Sequence, residues 1–203
     1  MTFPDFFAQL PSVTLRDPLA ETLGAARGGI LEYRYEDAVR LAGHSCPTVA
    51  GAWLMARHGL AALYAQEMPL RGGIRVEMRD ALDAGTTGVV GAVIGLVTGA
   101  AGEGGFKGLG GRHGRRNLLV YGVNLPAEVR FTRLDTGTSV LAEYHPERVP
   151  PSPEMPPLMA RVVGGAADAA ERETFARLWQ DRVRRILVDH AADPELVVVR
   201  PGA

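Results

Sequence analysis

The segment His44-Ser45-Cys46-Pro47, with the apolar repeat that follows it, constrains this chain most. Val49, Trp53, Leu54, Leu60, Leu63 and Tyr64 recur at helical spacing, which places one face of a helix on a core. Pro47 suits the first helical position, where no backbone N–H is needed. Pro69 lies beyond the far end. The spacing predicts a helix from Pro47 to about Gln66. Gly51, inside it, is small enough to let another element pass close by. The fold is therefore expected to form around this helix, with a histidine and the chain's only cysteine at its start.

Other segments are read by the same local rules. Asp17-Pro18 opens a short helix that Gly24 ends, with Asp17 as N-cap. Ile30–Tyr35 alternates as a short strand, and Glu36–Leu41 is a helix that stops near Gly43. Gly73–Arg79 and Asn117–Tyr121 are expected strands. Thr87–Val97 is apolar almost throughout and predicts a buried helix. Glu128–Arg133 and Ser139–Tyr144 form a hairpin through a connection containing Asp135 and Gly137. Val149–Pro157 is proline-rich, a stiff linker or a surface crossing. Ala167–His190 predicts a long helix with Phe175, Leu178, Trp179, Val183, Ile186 and Leu187 on one face. That face buries against the core or against a second copy of the chain, so a homodimer is expected.

A chain of 203 residues holds one sizeable core, or one core and a small appendage. Hydrophobic residues make up 46% and charged residues 22%, the balance of a soluble globular protein. A net charge of -1 argues against a nucleic-acid binder and a polybasic membrane surface. One cysteine excludes an intrachain disulfide framework and an all-cysteine zinc ribbon. Val89–Val97 is too short to span a bilayer. The start, MTFPDFFAQLPS, lacks the basic and apolar regions of a secretory signal, so a cytoplasmic location is expected.

The chemistry centres on His44 and Cys46. With Pro47 first in the helix, Cys46 stands at the N-cap, where free N–H groups and the helix dipole favour an anion. A thiolate is both a nucleophile and a metal ligand. The plainer reading of Cys46 is a small buried hydrophobe, and a lone loop histidine is often bonded only to backbone. The second candidate region is the glycine-rich stretch 99–117. It holds neither a Walker A loop nor a G-x-G-x-x-G match. Its Lys107, Arg112 and Arg115 are candidates to hold a small anionic ligand. The plainer reading of these cations is a solvated loop. His113 is a candidate third metal ligand.

Gly43-His44-Ser45-Cys46-Pro47 with Gly51 resembles the G-H-x-C-P-G-x-x-x-G region of the FmdE-like family, the proteins associated with formylmethanofuran dehydrogenase. Thr48 stands where that family more often has glycine. The similarity covers roughly residues 30–145. Val97-Thr98-Gly99-Ala100-Ala101 resembles the family's T-G-C-T segment, with Ala100 in place of its second cysteine. The family's C-terminal zinc-ribbon module is replaced by an unrelated helix. The resemblance implies an α+β core of helices packed on a mixed or antiparallel sheet, which with an N-terminal extension is expected over 1–148; the proline-rich linker and C-terminal helix take up 149–203. It also implies a metal site on His44 and Cys46 and a link to one-carbon or redox metabolism; the family's second thiol is missing here, and His113 is the candidate to replace it.

Histidine and thiolate ligation suits zinc best, then copper or iron. Two or three protein ligands leave an open position for catalysis by His44 and Cys46 with bound metal. The competing expectation is a non-catalytic carrier, sensor or assembly protein for a metal or a metal cofactor such as haem. A third is a metal-free thiol enzyme with His44 as base.

Overall fold

The computed structural model describes residues 3–202. Its centre is α3 (Pro47–Tyr64), apolar nearly all round, with Val49 to Ala56, Leu60, Leu63 and Tyr64 buried. A helix whose first half, from Val49, is buried all round needs cover on every side there; in its second half Ala61 and Ala62 are exposed. A five-stranded sheet supplies one side, in the order β4 (Leu119–Val120), β3 (Ile74–Met78), β5 (Val129–Arg133), β6 (Ser139–Tyr144), β7 (Val197–Pro201). β3 and β4 pair in parallel and every other neighbour is antiparallel. α4 (Thr87–Thr98) and α2 (Tyr35–Ala42) pack beside α3. The architecture is α+β.

Two glycines let α3 lie close on the sheet. Gly51 and Gly59 are eight residues apart, so they share a face. A Cβ at Gly51 would overlap the Tyr144 ring on β6. One at Gly59 would come within 2.8 Å of the Phe131 ring on β5. The close approach anticipated at Gly51 is therefore made by Tyr144. On the sheet's other face Glu77 of β3 stands directly opposite Arg130 of β5, and the arginine donates twice to it, at 2.7 and 2.9 Å.

Asp17 caps α1 (Pro18–Thr22), accepting from the N–H groups of Leu19 and Ala20, as its position before Pro18 suggests. β1 (Val13–Arg16), a strand too short to stand out in the sequence, pairs with β2 (Ile30–Tyr33) as a separate two-stranded sheet.

The C-terminal third departs most from expectation. The last residues of the proline-rich stretch open a helix, α5 (Met155–Val163). Pro156 and Pro157 lie in its first turn, where their missing N–H groups cost nothing. α6 (Ala169–Arg184) continues through a π-helical turn over Arg185–Asp189. The chain then returns as β7 on the edge of the main sheet, an unpredicted strand whose Pro201 is tolerated because no further strand pairs there. Val183, Ile186, Leu187, Leu196 and Val197 join the same core as α3. Of the apolar face expected on this helix, Val183, Ile186 and Leu187 are buried in that core, whereas Phe175, Leu178 and Trp179 are half-buried. Among the described residues no helix is long and apolar enough to cross a membrane.

Candidate functional site

α3 and α4 begin side by side. Cys46, N-cap of α3, and Thr86, N-cap of α4, line one cleft of about 640 Å³ together with His44 and Val90. Cys46 has extended backbone, and the Val49 N–H donates to its Sγ at 3.4 Å. The thiol is 8% exposed, so it forms wall rather than rim. His44 Nδ1 lies 2.9 Å from the Ala42 carbonyl oxygen. That oxygen only accepts, so Nδ1 carries a proton, and the neutral form of the ring presents its lone pair at Nε2.

The loop that carries these groups is held from both sides. α6 crosses above it, and Trp179 Nε1 and Gln180 Nε2 both donate to the Ser45 carbonyl, at 2.9 and 3.2 Å. From α2, the Tyr35 hydroxyl bonds the Ser45 hydroxyl at 2.9 Å.

Glu128, Tyr144, Trp179 and Arg182 complete the cleft. Burial pushes the Glu128 carboxyl up, against the Tyr144 N–H it accepts from and the Arg79 charge. Burial likewise pushes the Tyr144 phenol up, and its hydroxyl is buried with no hydrogen-bond partner. Arg182 is half-buried and donates through Nε to the Val149 carbonyl, 2.7 Å, and through Nη2 to that of Pro146, 3.0 Å. Among the described residues it has no carboxylate partner. Burial pushes its guanidinium down from the ordinary arginine range, and among the described residues only neutral carbonyls hold it.

The residues expected to join His44 and Cys46 lie elsewhere. Arg71, beyond the end of α3, donates to the Leu96 carbonyl in the last turn of α4, and the Gly72 N–H donates to that of Thr98. This marks the end of α4 remote from the cleft, about 18 Å away for 12 residues. Ala100 follows directly, buried and bonded through its N–H to the Thr98 hydroxyl. Arg115 is buried at this same end, with Nη2 2.6 Å from Asp17 Oδ1. The Asp17 Oδ2 takes Arg71, at 2.8 Å. Arg115 is therefore a structural ion-pair partner, not an anion-binding side chain of the cleft.

His113 likewise lies away from the cleft. Its Nε2 lies 3.4 Å from the Thr22 hydroxyl on α1, beside Asp17 and not beside Cys46. Lys107 and Arg112 are exposed in the glycine-rich loop, which closes on itself through the Leu109–Arg112 bridge and bonds from the Arg115 and Arg116 N–H groups to the Phe106 carbonyl. The loop does not line the cleft. Among the described residues no three His, Cys, Asp or Glu side chains gather in a way that would hold a metal ion.

Sequence reasoning missed Glu128, Tyr144 and Arg182, and read Trp179 only as part of an apolar helix face. Trp179 and Arg182 are three residues apart, hence on one helix face. That spacing was the available signal, but it does not say which loop the face covers. Comparison of the chain with protein-family models and with curated proteins finds no match.

Proposed function

We propose that this chain binds a small ligand in the cleft where α3 and α4 begin, with His44 and Cys46 as the pair that reacts with it or coordinates a metal there. The observation that carries the reading is that both side chains line one cavity, with His44 Nε2 free and Cys46 Sγ facing a helix N-terminus. The resemblance of 43–51 to the FmdE-like family supports the same pair. The donor set fits zinc as an open site with two protein ligands, imidazole and thiolate. The remaining positions fall to water or to the bound ligand, because His113 stands with Thr22. Bound zinc would supply Lewis acidity to a ligand oxygen. The chain's own contribution is to orient His44 through the Ala42 carbonyl, hold the loop through Ser45, and present Arg182 to negative charge.

Zinc titration with calorimetry, and metal analysis of protein purified without added metal, test this. One equivalent in the parent chain, lost in both His44→Ala and Cys46→Ser and unchanged in His113→Ala, is the expected outcome. Equal zinc affinity in all four proteins overturns metal binding by this pair. A Soret band that is lost in Cys46→Ser assigns haem in place of zinc.

A further inference from the structure

We infer that the ligand of this cleft is an amphipathic anion: a carboxylate that pairs with Arg182, carrying an unbranched apolar chain that runs into the groove between α5 and α6. The inference rests on the reading of the cleft as the chain's ligand site and names the class of molecule it takes. Arg182 Nη1 makes no hydrogen bond among the described residues, while Nε and Nη2 are fixed by carbonyls. A planar guanidinium held this way is preorganised for a carboxylate.

The second half of the argument is the neighbouring cavity. A groove of about 800 Å³, lined by Met155, Pro156, Met159 and Val163, shares Trp179 and Arg182 with the cleft. Both volumes lie in the range of small-molecule sites, roughly 300–1,000 Å³. The Trp179 N–H is spent on Ser45, so its ring stands as a fixed apolar wall between the two. Methionines opposite a rigid indole adapt to chains of different shape. Val163 is 78% exposed at the groove, an apolar side chain that a ligand tail would cover. Charge at one end and an apolar channel at the other select an amphipathic anion over a purely polar one.

Calorimetric titration of chelator-treated protein with butanoate, hexanoate, octanoate and octan-1-ol tests the inference without involving zinc. Affinity is expected to rise about fourfold per added methylene until the groove is full. Arg182→Met should weaken octanoate at least tenfold and leave octan-1-ol unchanged. Met159→Glu, on the groove and remote from Arg182's carbonyl partners, should abolish the chain-length increment and leave butanoate unchanged. An affinity independent of chain length, or octan-1-ol binding as tightly as octanoate, overturns the inference. So does octanoate binding that survives Met159→Glu in full. Binding only to phosphatidylglycerol vesicles, and not to free octanoate, overturns it in favour of a membrane surface. Zinc titration of the same preparations reads the His44–Cys46 pair separately, so either result can fail alone.

Discussion

Asp17→Asn is expected to lower stability by about 3–5 kcal/mol, the cost of removing one partner from a buried ion pair. Asp17 is 3% exposed and, among the described residues, is the one carboxylate paired with both Arg71 and Arg115. The Nε atoms of both arginines are already buried without partners. Asparagine is as good an N-cap as aspartate, so the cap of α1 survives and the loss reports the charge. The asparagine NH2 group would face a guanidinium, donor against donor. In a chain of this size the change corresponds to a fall in Tm of roughly 6–20 °C. A loss below about 1 kcal/mol in urea unfolding at pH 7 overturns the assignment.

The same residue sets a pH dependence. Burial alone pushes the Asp17 carboxyl up, but the hydrogen bond from Arg71, the Arg115 charge and the Ala20 N–H outweigh it and hold the group below its ordinary value. A lowered folded value means the unfolded chain takes up its proton first as pH falls. The stabilisation is therefore fully present above about pH 4 and is lost as pH drops through the lower folded value. The stability gap between parent and Asp17→Asn should be constant from pH 7 to 5 and shrink toward pH 3. A gap that stays constant to pH 3 shows that the charge is not its source.

Gly51→Ala is expected to cost about 1–3 kcal/mol through overpacking, although alanine is the better helix former by about 1 kcal/mol. The new methyl would meet the Tyr144 ring, and the backbone of α3 around it is held by the burial of Val49 to Ala56. The ring must move, and it moves at the wall of the cleft. Ligand affinity should fall with stability. A double-mutant cycle separates the causes. In a Tyr144→Ala background the collision is gone, so Gly51→Ala should become neutral or stabilising. The same destabilisation in both backgrounds overturns this account of Gly51.

Much of the fold was legible because its signals are local. The start of α3 at Pro47, the Asp17 cap, the β5–β6 hairpin and the buried α4 all follow from neighbouring residues. β7 went unread although Val197-Val198-Val199 is a strand-forming run. A strand that short needs a partner, and its partner β6 ends more than fifty residues earlier. α5 went unread because prolines that break a helix interior are tolerated in its first turn.

The site divides along the same line. His44 and Cys46 were legible as a pair, since two residues before a helix start they share a loop wherever that loop goes. His113 and Arg115 were legible only as chemically able side chains. Their positions depend on the glycine loop, which returns to α1 and the end of α4 remote from the cleft.

The sequence by itself determined that a thiol and an imidazole stand at the head of a buried helix, because capping and apolar periodicity act over a few residues. Only the tertiary structure decided what they face. Trp179 and Arg182 come from α6, Tyr144 from β6 and Glu128 from the bend before β5, brought to Cys46 by the packing of α6 over the loop and of β6 against Gly51. Such contacts depend on how whole faces bury against one another, and no residue in the 44–47 segment encodes them.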